Sequence, residues 1–409
     1  MKILTELREG LGISWDAIRA NKMRSILTTL GIVIGIVTVT LMSAAIQGLN
    51  RAFVKSISAL GADVFYVQRD SWINDTEEDW LNSQKRRTIR VADAEALANQ
   101  LTLAVAVAPV AEANASVQFK NRSASGVTIL GTTEDYLLTS GVEMSEGRFL
   151  SAADASGGRP VCVVGEQVAT NLFQTASPLG QKIKINAQSF EVVGVLEKQG
   201  SFLGMISLDN RAIIPLKQIT AVFLRDPDVV IQVKARELVQ LDEAREDLRH
   251  AMRRVRRLAP SEPDDFAINQ QDQIVTLFHR ETATIALIGL FVTGLSLFVG
   301  GIGIMNIMFV SVTERTREIG IRKAIGAKRR TILLQFLIEA VCICLLGGLI
   351  GMGIAGLLTF AVEKILPTVM SPAIVGIALF VSLATGVVSG FLPAWRAARM
   401  TPVDALRYE

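Results

Sequence analysis

Long uncharged, apolar stretches alternate with charged segments along the chain. Most of the Asp, Glu, Lys and Arg residues fall within 51–281. Four stretches contain none of these residue types: 25–50, 282–313, 340–362 and 365–395. A membrane-spanning helix needs about 20 mostly apolar residues. The pattern therefore predicts a large polar domain between the first and second of four transmembrane helices, which we place at 25–50, 282–313, 331–362 and 369–392.

The segment before the first span has a helical pattern of its own. One face of a helix over 3–20 would carry its apolar residues: Ile3, Leu4, Leu7, Leu11, Trp15 and Ile18. We interpret 1–24 as an interfacial amphipathic helix, the alternative being a flexible basic leader. The span that follows is longer than the roughly 7–15 apolar residues of a signal peptide, so we expect it to be retained.

The helical pattern of the second span extends beyond the uncharged stretch. From Gln271 to about Arg317 there is no Pro and no turn cluster. At about 1.5 Å per residue this predicts one rod of roughly 70 Å, about twice the thickness of the bilayer core. The alternative is a break at Gly289 or in the glycine-rich segment 300–303; we favour the unbroken rod, because glycine is tolerated in membrane helices.

The polar region predicts an α+β domain. Two strand–helix–strand groups have the expected periodicities, and we place them at 63–68, 91–101 and 113–120, and at 229–233, 238–258 and 266–269. Between them, we interpret 131–221 as an inserted β-rich subdomain. Its strands are expected at 127–130, 161–164, 181–185 and 191–196. The last two would form a hairpin around a turn at 186–188.

Basic residues indicate the orientation of the spans. They cluster in three short segments, namely 1–24, 314–330 and the tail after 395, whereas the loop between the third and fourth spans has only Lys364. Lys and Arg favour the cytoplasmic side. We therefore expect both termini to be cytoplasmic and the large domain to be extracytoplasmic.

The chemistry that the sequence lacks narrows the possible functions. The chain has no G-x-x-x-x-G-K-[ST] loop, so no nucleotide site of that kind is expected. The two histidines, His250 and His279, are not at metal-ligand spacing, and we expect no metal site. A formal net charge of +3 gives no large cationic surface for nucleic acid. These features predict a non-catalytic membrane subunit with no cofactor of its own.

Small residues occur at helix-contact spacing inside the spans. Pairs separated by four positions let two helices approach closely. The pairs are Gly31 and Gly35, Gly347 and Gly351, and Gly386 and Gly390. The spacing alone leaves open whether each pair packs within one chain or against a second copy.

The segment between the second and third spans carries the strongest functional signal. It reads ERTREIGIRKAIGAKRR over 314–330, which mixes charges with apolar residues that a short solvated loop does not need. We predict a helix ended by Gly326 that docks on a partner protein, with Ile319, Ile321 and Ile325 in the partner's cleft. The predicted docking residues are Glu314, Arg317, Glu318, Ile319, Gly320, Ile321, Arg322, Ala324, Ile325 and Gly326. The alternative is a basic anchor on anionic headgroups.

Three segments resemble one family. The 314–330 segment, continued by TILLQFLIEA to 340, is similar to a signature of the FtsX/MacB family of ABC transporter permeases. The C-terminal PAWRAARMTPVDALR from 393 and the AIRANKMRSILTTLGIVIG from 17 also resemble that family's patterns. The resemblance covers the chain end to end, with the segments in the family's order.

The resemblance implies a function for the chain. It implies a permease of the bacterial inner membrane that forms a homodimer and recruits ABC ATPase subunits. ATP and Mg²⁺ would be bound by that ATPase, which we expect to be a separate chain. Hydrolysis would move the extracytoplasmic domain, by mechanotransmission, to drive efflux. A periplasmic adaptor protein is a further expected partner.

The family also suggests a division of the large domain and leaves other functions open. Residues 51–130 and 222–281 would form a porter-like part around the inserted 131–221. Two alternatives are a lipoprotein-extracting permease that pairs with a similar chain, and an ABC-type activator of an external hydrolase. The residues do not indicate the substrate.

Overall fold

The structure is a computed structural model that describes residues 22–57, 61–73, 77–174, 176–202, 206–362, 368 and 370–406. The amphipathic helix predicted for 1–24 therefore lies almost wholly outside the described residues.

The helices, in chain order, are α1 (Lys22–Ile57), α2 (Glu77–Gln84), α3 (Val91–Ala98), α4 (Tyr136–Thr139), α5 (Ala152–Gly157), α6 (Glu166–Phe173), α7 (Leu216–Val222), α8 (Leu241–Arg256), α9 (Gln271–Glu314), α10 (Thr316–Ala324), α11 (Arg329–Val362), α12 (Pro372–Arg399) and α13 (Pro402–Leu406).

The strands alternate with the shorter helices. In chain order they are β1 (Val64–Gln68), β2 (Ala104–Phe119), β3 (Arg122–Thr132), β4 (Met144–Gly147), β5 (Val161–Val164), β6 (Lys182–Ile185), β7 (Gln188–Leu196), β8 (Ser201–Phe202), β9 (Ile206–Ser207), β10 (Arg211–Pro215), β11 (Val230–Ala235) and β12 (Ala267–Gln270).

Four helices are long and apolar enough to cross a membrane, as the charge-free stretches predict. The candidate spans are Thr29–Val54 within α1, and the whole of α9, α11 and α12. The fourth helix begins and ends later than predicted, since α12 runs from Pro372 to Arg399 instead of over 369–392.

The second span is one unbroken helix of 44 residues. At about 1.5 Å per residue it is roughly 66 Å long. Its glycines do not interrupt it, and it ends at Glu314 because the backbone of Arg315 leaves the helical region (φ −101°, ψ 16°). The predicted rod to about Arg317 is therefore slightly too long, and 316–324 belongs to a separate helix.

The chain forms two compact units. The boundaries fall between Arg51 and Ala52 and between His279 and Arg280. The membrane unit contains α1 as far as Arg51, α9 from Arg280 onward, and α10 to α13, and the large domain holds all twelve strands of the described residues.

The large domain is built on one mixed sheet. Its ten strands include a continuous path in the order β12, β1, β11, β2, β3, β10, β5, β7 and β4, and β6 pairs with both β2 and β7. Neighbours are antiparallel except for the parallel pairs β3 with β10 and β5 with β7. The sheet continues through the predicted subdomain boundary at 131, which falls inside β3.

The sixteen-residue β2 belongs to both halves of the sheet. Its first half pairs with β11 and its second half with β3. The sequence pattern predicted only the second half, since 104–112 is almost uniformly apolar and shows no alternation. The short strands β4 and β10 and the helices α5, α6 and α7 were likewise not predicted.

The predicted hairpin is present with a tighter turn. Asn186 and Ala187 form the turn with φ values of 47° and 69°, and Gln188 already pairs with Ile185 across the strands β6 and β7. Placing Gln188 in the turn was therefore wrong. Two consecutive residues with positive φ match the right-handed twist of the flanking strands.

A buried arginine, Arg256, connects the end of α8 to the start of α3 by hydrogen bonds. Arg256 is 7% exposed, and its guanidinium donates to Asp265 Oδ2 at 2.7 Å and to Asp93 Oδ2 at 3.2 Å. It also donates to the carbonyl oxygens of Thr88 and Arg87 at 2.8 and 2.9 Å. We call these residues the Arg256 cluster.

Candidate functional site

The helix α10 and the elements around it form the candidate site. The helix begins after the backbone break at Arg315 and ends before Gly326, whose φ of 102° is accessible to glycine with little strain. The amide of Gly326 donates to the carbonyl of Lys323 at 3.0 Å, and that of Ala327 to the carbonyl of Arg322 at 3.0 Å. These bonds satisfy the last carbonyls of the helix and end it where the sequence predicts.

One face of α10 is buried within the chain itself. Thr316, Ile319 and Gly320 are buried, with Ile319 only 3% exposed in the core of the membrane unit. The helix α10 also packs against α13 of the same chain. The prediction that a partner's cleft covers Ile319 is therefore wrong, and so is the prediction of Gly320 as a docking residue, because this chain already covers both residues.

The opposite face of α10 is exposed and mixes apolar and charged side chains. Ile321 is 45% exposed and Ile325 81% exposed. Glu318 and Arg322, one turn apart, form an ion pair beside them. The other predicted docking residues that lie in the open are Glu314, Arg317, Ala324 and Gly326.

The two apolar faces follow from helical geometry. Residues two positions apart lie on opposite sides of a helix, whereas residues three or four apart share a side. Ile319 and Ile321 therefore cannot enter one cleft. Ile321, Ala324 and Ile325 can, because they are three and four positions apart.

A buried ion pair holds the break between α9 and α10 against the third span. Arg315 Nη1 lies 3.3 Å from Glu339 Oε2, and Glu339 of α11 is 2% exposed. The other oxygen of that carboxylate, Oε1, has no hydrogen-bond partner among the described residues. We call Arg315 and Glu339 the joint pair.

A lysine fastens the buried face of α10 to the end of the fourth span. Lys323 Nζ donates to the carbonyl oxygen of Ala398 at 2.7 Å and to that of Met400. Burial lowers the pKa of Lys323, and the charge of Arg329 lowers it further. The amine therefore joins α10 to the end of α12. An apolar residue at position 323 would leave the carbonyls of Ala398 and Met400 without this donor.

Sequence reasoning did not identify Arg315, Lys323 or Glu339 as site residues. Their partners lie 24 to 77 positions away, on other helices. One signal was available: Glu339 is a single carboxylate at the edge of the uncharged stretch 340–362. A charge at the end of a span is expensive unless it is paired, and so it points to a nearby cation.

All six glycines singled out in the sequence face another helix of this chain. A Cβ added to Gly31 would lie 2.9 Å from Gly300 Cα, and one added to Gly390 would lie 2.4 Å from Ala340 Cβ. The remaining four meet neighbouring side chains or backbone in the same way: Gly35 meets Leu297, Gly347 meets Ile32, Gly351 meets Ile36, and Gly386 meets Val341 and Cys344. These contacts are within the chain, the first of the two alternatives left open by the spacing.

The histidines and cysteines lie apart from this site. His250 and His279 are exposed on helices, and Cys162, Cys342 and Cys344 are buried with free thiols. Among the described residues no group of three or more His, Cys, Asp and Glu is arranged to hold a metal ion.

The membrane unit and the large domain each match a known sequence family. The model of the MacB-like periplasmic core domain matches residues 25–251, and that of the FtsX-like permease C-terminal domain matches 290–402. The chain therefore belongs to the MacB/FtsX family of ABC transporter permeases. It is a membrane protein with four transmembrane helices and a large extracytoplasmic α+β domain of the MacB type.

Individual relatives cover the whole chain. The macrolide export ATP-binding/permease protein MacB of Bdellovibrio bacteriovorus is 33% identical over 411 residues, which cover 99% of this chain and 62% of that protein. YknZ of Bacillus subtilis, described as an uncharacterized ABC transporter permease, is 33% identical over 413 residues, covering 98% of this chain and all of YknZ. The chain thus spans about three fifths of the length of the MacB relatives.

One solved structure is similar to the large domain. It is the periplasmic region of MacB from Actinobacillus actinomycetemcomitans, which matches with a TM-score of 0.46 and 19% sequence identity. The match covers 56% of this chain and 97% of that structure.

Proposed function

We propose that this chain is the permease subunit of a MacB-like exporter, in which a separate ABC ATPase docks on the exposed face of α10. The ATPase binds ATP and Mg²⁺, and this chain supplies the membrane anchorage and the moving extracytoplasmic domain. The single observation that carries the proposal is the two-sided α10, which is fastened to the bundle on one face and presents apolar residues on the other.

The exposed face has the composition of a docking surface for a protein. Ile321 and Ile325 are one turn apart, and the ion-paired Glu318 and Arg322 lie beside Ile321. An apolar centre with a charged rim is typical of interface patches. A headgroup anchor would need only the basic residues, and Glu314 and Glu318 would oppose it. Both termini and α10 then lie in the cytoplasm, in agreement with the distribution of Lys and Arg.

The elements behind α10 support mechanical transmission. The joint pair connects the end of α9 to α11, and Lys323 connects α10 to the end of α12. The helix α9 begins directly after strand β12 and is continuous to Glu314. A displacement of α10 would therefore be passed to the start of α9 without an intervening loop.

Transport would take place outside the bilayer core. No Asp, Glu, Lys or Arg lies within the four uncharged stretches, so the spans offer no charged route for a substrate. We propose that a homodimer moves its extracytoplasmic domains, together with a periplasmic adaptor protein, to export the substrate across the cell envelope. The MacB relatives are named for macrolide export, and the substrate class of this chain is set by its own extracytoplasmic surface.

Replacing Ile321 with Asp tests the docking surface. A charge placed in an apolar cleft costs several kcal/mol, and about 1.4 kcal/mol already lowers affinity tenfold. We expect Ile321→Asp to abolish copurification of the ATPase while the chain inserts and folds normally, because the side chain is exposed in the free chain. Copurification is measured from membranes that contain both chains.

Lys328→Ala, beyond the end of α10, is the matched control. Lys328 is exposed, lies outside the predicted docking residues and forms no ion pair among the described residues, so recruitment should change by less than about 1 kcal/mol. Full recruitment and transport by Ile321→Asp would show that α10 anchors on headgroups instead.

A further inference from the structure

A basic pocket opens beside α10, between the start of α11 and the end of α12. It has a volume of about 270 Å³. Its lining residues are Arg329, Arg330, Leu333, Trp395, Ala398 and Arg399. The two helices run antiparallel, since Gly348, Cys344 and Ala340 of α11 meet Ser382, Gly386 and Gly390 of α12 in turn. The pocket therefore lies where the third span begins and the fourth ends.

The positive charge of the pocket is not balanced by any carboxylate whose side chain the structure describes. Its three arginines are exposed, and no acidic residue lines it. In the part of the chain that the structure describes, none of the three forms an ion pair with a carboxylate, whereas Arg315 and Arg322 nearby both do. Three guanidinium groups around one cavity form a site for an anion with several oxygen acceptors.

The remaining lining residues place the pocket at the surface of the bilayer. Trp395 is the last residue of the uncharged stretch 365–395 and is 41% exposed. The guanidinium of Arg399 lies 4.2 Å from the centre of its ring. Tryptophan favours the level of the headgroups. Leu333 is half-buried and Ala398 is buried, so the pocket also has an apolar wall.

We propose that this pocket binds the headgroup phosphate of an anionic phospholipid, with an acyl chain along Leu333 and the ring of Trp395. The arginines contact the phosphate oxygens, while the apolar wall continues into the hydrocarbon region. Basic pockets between transmembrane helices are a recurring arrangement for anionic lipid headgroups. A bound lipid would lie beside Lys323, which joins α10 to α12, so that lipid binding stabilises the position of α10.

The proposal is tested on the full chain in detergent micelles by native mass spectrometry. Phosphatidylglycerol is titrated against phosphatidylcholine, and the variant replaces the three pocket arginines together (Arg329→Gln, Arg330→Gln and Arg399→Gln). Each arginine near a membrane surface contributes roughly fivefold, so the variant should bind phosphatidylglycerol roughly 100-fold more weakly. Binding of phosphatidylcholine should be weak in both proteins.

Arg396→Gln is the matched control. Arg396 is exposed on α12, one turn before Arg399, and its guanidinium lies over Phe309 at 5.9 Å instead of lining the pocket. It should keep the affinity for phosphatidylglycerol. A triple Arg→Lys variant keeps the charge and loses the fork of donors, so we expect intermediate binding.

Three results would overturn the proposal. The first is equal binding of phosphatidylglycerol by the chain and the triple glutamine variant. The second is displacement of the lipid by inorganic phosphate at equal concentration, which would indicate a site for the free anion. The third is a triple glutamine variant that keeps the lipid but loses the ATPase, which would assign the arginines to the protein interface. The lipid titration needs no ATPase, and so it stands whether or not the proposed docking function is correct.

Discussion

Two arginines that bind carboxylates, one in each unit, differ in how completely the charged groups are hydrogen-bonded. Arg256 in the extracytoplasmic domain contacts two carboxylates and two backbone carbonyls. Arg315 in the membrane unit contacts Glu339 at 3.3 Å, and Glu339 Oε1 has no hydrogen-bond partner among the described residues. A charged group whose hydrogen-bonding atoms are all paired is held in one geometry. A charged group with unpaired atoms loses less free energy when its position changes, because fewer hydrogen bonds are broken.

This difference matches the proposed roles of the two units. The Arg256 cluster joins α3, α8 and the segment before β12. Such contacts are needed if the domain moves as a rigid body, as we propose. The joint pair lies at the break between α9 and α10, where the proposed transmission of movement would require a small change in the angle between the two helices. We infer that the more completely hydrogen-bonded arginine, Arg256, stabilises the extracytoplasmic domain, which we propose to move, and that the less completely bonded Arg315 lies at the break between α9 and α10.

The largest expected effect comes from removing the centre of the Arg256 cluster. Arg256→Ala removes a buried guanidinium that joins Asp265 to Asp93; both carboxylates are partly exposed and Asp265 keeps its ion pair with Arg87, so the cost should be about 3 kcal/mol. The free energy of unfolding of the extracytoplasmic domain, followed by near-ultraviolet circular dichroism, should fall by this amount. Arg254→Ala is the control, because Arg254 is exposed and its guanidinium donates to Gln100 Oε1 at 3.1 Å, with no ion pair among the described residues. Equal losses for the two variants would contradict the role of the cluster.

The hydrogen bonds of the Asp154 carboxylate in the same domain should make the free energy of unfolding depend on pH. Burial alone would raise the pKa of Asp154, but hydrogen bonds from Ser151 and Arg148 lower it to about 2. The unfolded chain has the usual value near 3.8, so the unfolded state binds more protons between these values. The stabilisation, about 2 kcal/mol, is present above pH 4 and is lost as the pH falls towards 2.

Asp154→Asn isolates this effect. The variant should be less stable than the parent chain by about 2 kcal/mol at pH 6, and the difference should disappear near pH 2. The measurement is chemical unfolding at both pH values. A difference that stays constant with pH would mean that the carboxylate is not the source of the stabilisation.

A smaller loss of stability is expected at the joint pair, together with a loss of coupling. Glu339→Gln removes the charge that holds Arg315 and should cost about 1–2 kcal/mol, since Arg315 remains partly exposed to water. We expect the ATPase still to bind and hydrolyse ATP, with export reduced. The ratio of export to hydrolysis in reconstituted vesicles is the readout. An unchanged ratio of export to hydrolysis in this variant would show that the joint pair does not couple ATP hydrolysis to export.

The smallest effect is expected at the ion pair on α10. Glu318→Ala removes the partner of Arg322 on an exposed surface, where such pairs contribute at most about 1 kcal/mol. The affinity for the ATPase, measured by titration at two salt concentrations, should fall less than about fivefold and more at low salt. A loss as large as that expected for Ile321→Asp would place the binding energy in the charges instead of the apolar residues.

The spans and the docking helix could be predicted from local patterns. Uncharged stretches locate the four helices, and Gly326 marks the end of α10, because both signals are local in the sequence. The joint pair requires the α9–α10 break to pack against α11, and the contact of Lys323 with Ala398 and Met400 requires α10 to pack against the end of α12; no local pattern contains these long-range contacts. The face of α10 that is buried could have been predicted, because Ile319 and Ile321 lie on opposite sides of any helix.

The inserted subdomain shows where sequence reasoning fails in the large domain. Its composition suggested a separate unit, yet β3 crosses the boundary and pairs with β10 of the insert. The strand β10 was not predicted because its core, Ala212 to Ile214, is buried without alternation. A fully buried strand has no polar face from which to recognise its period.

The most direct test of the central claim is cross-linking from the two faces of α10. A photoreactive residue is placed at Ile325, which is 81% exposed, or at Ile319, which is 3% exposed. The complex with the ATPase is then irradiated in the membrane. The account predicts a cross-link to the ATPase from position 325, and from position 319 only links within this chain. A cross-link from 325 to lipid alone, with the ATPase bound elsewhere, would contradict it.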